Sequence, residues 1–289
     1  FTRDRFHGNP AGVVPDAKGL TDEQMLRIAR ELNNSETAFM FETDSPDYDI
    51  EVRFFTPTTE VPICGHATIA AHYVRAKERN MEGGTVVQKT KAGILPVEVV
   101  RTLSDYSITM TQGTPAVSAP FGDAVRERIA DALGIAHEEI CREYPVAVAS
   151  TGHSKVMVPL YSNELLHGLR PDLQKLTKIS KQIECNGYYV FTLNPQNKIL
   201  VHGRMFAPAI GIAEDPVTGN ANGPLGAYLV HFNILQEEDA PCFDFDILQG
   251  EAIKRDGTMH VHVEKEHGAP KLVQITGNAV IAFSTEIAI

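Results

Sequence analysis

Three short stretches carry side chains able to move protons or hold an anion. Ser35-Glu36-Thr37-Ala38-Phe39 puts Glu36 directly ahead of small and apolar residues running to Phe41, as where a strand enters a core. A carboxylate there is partly desolvated and its proton affinity rises toward working pH. A carboxylate that caps a turn or sits in water fits the same string. His66 follows Cys64-Gly65 at the head of an apolar segment, and Glu214-Asp215-Pro216 stands just ahead of a second such segment that opens at Gly219. An acid and an imidazole so placed lie where helix dipoles and burial shift titration, which suits proton transfer. Gly65 and Gly219 let the backbone come close to a ligand and leave the first helical N–H groups free to face an anion. Either glycine taken alone serves a tight strand-to-helix turn equally well.

Other groups weigh less. Cys64 at a helix start can have a lowered thiol pKa, but a two-thiol racemase needs a partner. Pro216 and Val217 stand ahead of the second glycine-led turn and no cysteine does, so Cys64 is read as a packing residue. His260-x-His262 puts two imidazoles on one strand face with His267 close by; with no carboxylate arrangement evident nearby, this is read as a wet face and not a metal site. Gly152-His153-Ser154-Lys155 serves either as a substrate contact or as a turn entering a strand. Gly8-Asn9-Pro10-Ala11-Gly12 lacks the Lys-Ser/Thr of a phosphate loop, so no nucleotide site is expected, and there is no Gly-x-Ser-x-Gly elbow. Cys64, Cys141, Cys185 and Cys242 form no Cys-x-x-Cys pair, so neither a zinc or redox site nor a disulfide framework is expected.

The elements that must position these groups are mostly short strands between turn residues. Runs read as strands include Ile94 to Val100, Tyr106 to Met110, Lys155 to Leu160, Tyr188 to Leu193, Phe243 to Leu248 and Val280 to Phe283. Thr21 as cap, Gln24 three residues later and Leu20 stapled to Met25 predict a helix with Met25, Ile28, Ala29 and Leu32 inward. Two more amphipathic helices are predicted, from Asp123 to Leu133 ended by Gly134, and from Pro171 to Ile183. Ala67 to Val74 and Leu225 to Phe232 are apolar nearly all round, as in buried helices. Each follows a similar string: Phe55-Thr-Pro57 leads to Cys64-Gly65-His66-Ala67, and Phe206-Ala-Pro208 leads to Thr218-Gly219-Asn220-Ala221. The glycines lie 154 positions apart and the phenylalanines 151, which reads as an internal duplication into halves of about 140 residues. No low-complexity linker divides the halves, so they are expected to pack closely with a cleft between them.

The 289 residues are 43% hydrophobic and 22% charged, which excludes disorder. With 26 Lys+Arg against 37 Asp+Glu the net charge is −11, so no field gathers nucleic acid or anionic lipid. Apolar runs fall short of a membrane span, and Phe1-Thr2-Arg3-Asp4-Arg5 is charged where a signal peptide is greasy. A soluble, cytoplasmic protein is expected. Phe1 is not an initiator methionine, which leaves room for a first strand ahead of it.

Phe6-His-Gly8-Asn9-Pro10-Ala11-Gly12-Val13-Val14, Ser35 to Phe39, Phe55-Thr-Pro57 with Cys64-Gly65-His66-Ala67-Thr68, and Glu214 to Gly223 stand in that order. Together they resemble the PhzF-like family of phenazine-biosynthesis-type isomerases, over essentially the whole chain and most closely its uncharacterised bacterial isomerase-like members. The resemblance implies an α+β, diaminopimelate-epimerase-like fold: two pseudo-symmetric mixed β-barrel domains, each around a central buried helix, with the active site between them. Residues 1–115 with 277–289 would form the domain around the helix from Gly65, and 116–276 the domain around the helix from Gly219. By the family's pattern Glu36 is the general acid/base that moves a proton between carbons of a small carboxylate, with His66 and Asp215 beside it. The Gly65, Gly219 and Asn220 backbone holds the anionic substrate. No metal or other cofactor is implied, and a homodimer is expected. Asn220 and Ala67 depart from the phenazine enzyme's serine and proline, and an amide cannot relay a proton as a hydroxyl does. Two other readings stand beside the isomerase: a racemase or epimerase assisted by Cys64, and a non-catalytic protein that binds a small carboxylate.

Overall fold

A computed structural model of the chain describes residues 1–235 and 240–288. It falls into two units, Phe1–Thr111 with the segment from Thr276 on, and Gln112–Ile275.

In the first unit the strands are β1 (Gly12–Val14), β2 (Thr37–Glu42), β3 (Ile50–Phe55), β4 (Glu60–Val61), β5 (Gly84–Thr90), β6 (Gly93–Arg101) and β7 (Tyr106–Thr111), with helices α1 (Asp22–Leu32) and α2 (Gly65–Arg79). The sheet runs β1-β2-β3-β5-β6-β7, with β4 paired to the outside of β3. Its β1–β2 and β3–β5 ladders are parallel and the rest antiparallel. Helix α2 packs on β1 and β2 at one end of this order and on β6 and β7 at the other, so the sheet curls round it. That is why α2 buries residues on all sides, from Ala67 and Thr68 to Tyr73 and Ala76. Helix α1 lies on the outer face. The capping box of Thr21 and Gln24 is formed, and Met25, Ile28 and Ala29 pack with Phe39 and Phe55.

The second unit holds β8 (Ala116–Val117), β9 (Ala147–Ser150), β10 (Ser154–Pro159), β11 (Tyr188–Leu193), β12 (Ile199–Ala207), β13 (Ile212–Asp215), β14 (Cys242–Gln249), β15 (Gly257–Glu266) and β16 (Ala269–Gly277, ending in the first unit). Its helices are α3 (Asp123–Leu133), α4 (Asn163–Gly168), α5 (Leu173–Ile183) and α6 (Gly219–His231). The order is β8-β9-β10-β11-β12-β14-β15-β16, with β13 on β12. Helix α6 touches β8, β9 and β10 as well as β14 and β15, so this sheet too curls round its helix. A side chain at Gly226 would meet the methyl groups of Val261 and Val263 at 2.9 and 2.8 Å, which shows how closely helix and strand approach.

The fold is mixed α/β, and the duplication extends well beyond the two glycines. Helices α1 and α5, each of 11 residues, lie 151 positions apart, as do β2 and β11. The register repeats as well: Thr37 faces Phe55, and Tyr188 faces Phe206.

Two expected elements differ. The helix predicted from Pro171 begins at Leu173, because the Asp172 side chain accepts the N–H groups of Gln174 and Lys175 and so takes the cap position. Val280 to Phe283 is not a strand; Phe283 is 72% exposed and Ile281 38%, so the run has no buried face. Among the described residues no helix is long and apolar enough to cross a membrane.

Candidate active site

In the first unit, Glu36 ends the approach to β2 and its carbonyl accepts the N–H of Gly12 at 3.1 Å. His66 is the second residue of α2. Its Nε2 lies 3.4 Å from Glu36 Oε2 and 3.2 Å from Ser35 Oγ, and its Nδ1 lies 3.4 Å from Cys64 Sγ. The two side chains are 10% (His66) and 20% (Glu36) exposed, so the contact is partly sheltered from water while Glu36 remains reachable. The ring can donate from Nε2 to the Glu36 carboxylate while Nδ1 accepts from the Cys64 thiol. Glu36, Cys64 and His66 present donor atoms within 4.8 Å of one another and could share a cation.

Cys64 is the N-cap residue of α2 in an extended conformation and makes no side-chain cap bond. The amides at the start of α2 are therefore not covered by a capping side chain. Gly65 is buried, yet a methyl group added there would meet no other atom within 4 Å, so open space lies beside this turn.

In the second unit Thr218 is the extended N-cap residue of α6, and its hydroxyl donates to the Asp215 carboxylate instead of capping the helix. The turn is braced by the buried Gln249. Its Nε2 donates to the Asp215 carbonyl at 2.8 Å and to Thr218 Oγ1 at 3.1 Å, and its Oε1 accepts the Thr218 N–H and Asn222 Nδ2. Asn222 Oδ1 in turn accepts the Tyr189 hydroxyl, whose pKa burial pushes well up, so it stays a donor. Asn220 is half-buried beside Gly219. Glu214 is not free for chemistry. It forms a two-pronged ion pair with Arg204, at 2.9 and 2.8 Å. Lys155 is buried at the start of β10, and desolvation lowers its ammonium pKa against the opposing pull of Cys185 and Asp215. His153 is exposed in the preceding turn.

Comparison of the two repeats separates scaffold from chemistry. Arg53 binds Glu60 at 2.8 and 2.9 Å and lies over the Phe55 ring at 5.2 Å; Arg204 binds Glu214 and lies over Phe206 at 5.0 Å. These pairs and the glycines Gly65 and Gly219 are common to both. What differs is the set of candidate residues: Glu36 corresponds to Gly187, Cys64 to Thr218, His66 to Asn220 and Val61 to Asp215. At Gly187 the buried Lys155 side chain fills the space that a side chain there would take, so the second unit places a lysine stem where the first has its glutamate.

The structure thus brings Glu36, His66 and Cys64 together, and Asp215, Gly219 and Asn220 together. The arginine–glutamate pairs were missed from sequence although the repeated Arg-x-Phe at 53–55 and 204–206 signals them. Gln249 had no signal, being a lone amide in a strand.

Residues 1–285 match the profile of the family described as phenazine biosynthesis-like proteins. The chain belongs to this family. Among relatives of this phenazine biosynthesis-like protein, an uncharacterized isomerase of Clostridium acetobutylicum is 53% identical over 99% of this chain and 95% of its own. One from Escherichia coli K12 is 49% identical over 100% and 96%. The crystal structure of a PhzF-family protein from Bacillus anthracis superposes with TM-score 0.90 at 32% identity, covering 100% of this chain and 96% of that one. A probable proline racemase from Agrobacterium radiobacter shares the fold alone, with TM-score 0.60 at 13% identity over 98% and 91%. The protein is an isomerase of the phenazine biosynthesis-like family.

Proposed function

We propose that the protein is a cofactor-independent isomerase that moves a proton between carbons of a small carboxylate, with Glu36 as the acid/base. The observation that carries this is the sheltered 3.4 Å contact of Glu36 with His66 at the opening of α2, a pairing the second repeat lacks. Glu36 takes a proton from a carbon activated by a neighbouring carboxylate or double bond and returns it at another carbon. His66, backed by Ser35 and Cys64, fixes the carboxylate's orientation and keeps it accepting. The N–H groups that open α2 at Gly65 and α6 at Gly219 and Asn220 hold anionic oxygen, a term worth several kcal/mol where charge builds up. Asp215, oriented by Thr218 and Gln249, is the further acid on the second unit.

Deuterium wash-in from heavy water into a panel of small amino and unsaturated carboxylic acids, read by mass spectrometry, tests the assignment. Glu36→Gln should retain ligand binding by calorimetry and lose about 10²- to 10⁴-fold in exchange rate. Full activity in that variant rejects the role. The 3.4 Å approach of the Cys64 thiol to His66 favours a second reading, a racemase in which the thiol shares the proton work. Under the carboxylate reading Cys64→Ala stays within a few-fold of the parent; a loss equal to that of Glu36→Gln selects the thiol. A ligand bound without any exchange selects the non-catalytic binder.

A further inference from the structure

Strands β14 and β15 pair antiparallel with Cys242 facing Glu264, Asp244 facing His262 and Asp246 facing His260. The alternate residues Phe245, Ile247, Val261 and Val263 are buried, so these six polar side chains share the outer face. Cross-strand register supplies the carboxylates that sequence reading did not find beside His260 and His262. His262 Nδ1 lies 2.7 Å from Asp244 Oδ1, and His260 Nε2 lies 3.2 Å from the same oxygen. Cys242 Sγ, the Asp244 carboxylate and the His262 ring nitrogen all lie within 4.8 Å of one another. His260 is held by its other nitrogen, Nδ1, 2.9 Å from Asp246 Oδ1.

We propose that this face of β14 and β15 binds a divalent cation of the zinc class through Cys242, Asp244 and His262, with His260 holding the Asp244 carboxylate in place from outside. A ladder of plain ion pairs needs one partner per imidazole and no thiol. Here two imidazoles and a sulfur converge on a single carboxylate, and the far nitrogen of His260 rests on a second one. A ligating carboxylate held by an outer hydrogen-bonding partner, as His260 holds Asp244, is how metal sites fix their ligands. Thiolate, imidazole and carboxylate together suit zinc. The site needs neither the Glu36 cluster nor the catalytic reading. Another cluster, His167 and His202 around Glu251 at 3.2 and 2.7 Å, carries no thiol and serves as a control.

Cobalt(II) titrated into chelator-stripped, reduced full-length protein tests this without reference to activity. The expected result is a near-ultraviolet thiolate-to-cobalt band that saturates at one equivalent and is displaced by zinc. It disappears in Cys242→Ser and persists in Cys64→Ala and His202→Gln. His260→Ala should weaken zinc binding about 10- to 100-fold in competition with a chromophoric chelator. A band that is absent, that survives Cys242→Ser, or that is lost with Cys64→Ala overturns the proposal. Should the serine variant fold poorly, the native protein suffices: zinc must slow alkylation of Cys242, and unchanged labelling overturns the site.

Discussion

Gly65 and the two arginines show what single residues decide. A methyl group at Gly65 meets nothing of the chain within 4 Å, so Gly65→Ala should leave the urea midpoint within the small range of neutral substitutions, about 0.5 kcal/mol. If the open space beside it receives the substrate's anion, the same variant raises KM at least tenfold, and an unchanged KM removes Gly65 from the binding set. Arg204 is 6% exposed and is the charge partner of Glu214, 13% exposed. Arg204→Met leaves that carboxylate buried and unpaired and should cost about 3–5 kcal/mol in chemical denaturation. Arg53→Met should cost less, since Lys91 still reaches Glu60 at 2.6 Å. Equal costs for the two would refute the argument from burial. Glu36 and His66 were legible as candidates, because one precedes an apolar strand and the other opens an apolar helix. Their 3.4 Å contact was not, since it joins residues far apart in sequence that only the packing of α2 near β2 brings together.

Elements were legible where a local signal sets them. The capping box placed α1, and the α3 boundary at Gly134 follows from its left-handed C-cap. Where two signals competed, the hydrogen-bonding one won: Asp172 outranked Pro171 as the start of α5 because a carboxylate satisfies orphan N–H groups that proline merely does without. The apolar run Val280 to Phe283 misled because apolar residues make a strand only where a neighbour and a core exist. Within α6, Gly223 reverses the usual helix rule. Alanine for glycine in a helix ordinarily gains up to about 1 kcal/mol. Here a methyl group would lie 1.8 Å from Gln112 Oε1, whose amide holds the Gly219 carbonyl at 3.0 Å and accepts from Thr151. Gly223→Ala should therefore lower the melting temperature, and a stabilised variant would show that Gln112 swings away freely.

The molecule as a whole should lose stability on acidification, and a buried histidine supplies much of the slope. His72 is fully buried in α2, its Nε2 3.0 Å from Gln88 Oε1 and its Nδ1 without a partner among the described residues. Burial lowers its pKa to about 4 against the opposing Gln88 bond, so the folded chain keeps it neutral while the unfolded chain protonates it near 6.5. Its contribution is complete above about pH 6.5 and is lost as pH falls toward about 4, roughly 3 kcal/mol in all. Glu60, held below the usual carboxylate range by Arg53, adds a loss of the same sign at lower pH. Urea midpoints between about pH 7 and pH 5 should fall with a slope that His72→Asn reduces; an unaltered slope would place the titration elsewhere. At this scale the amino-acid sequence determined the duplication, the two helices apolar on every side and the family motifs, because repeat spacing and periodicity are written along the chain. Tertiary structure alone decided what surrounds the residues the repeats do not share, since the contacts of Glu36 and of Gly187 are made by neighbours distant in sequence. It alone, too, set the Asp244–His262 and Asp246–His260 pairs, because strand register is a property of the folded sheet.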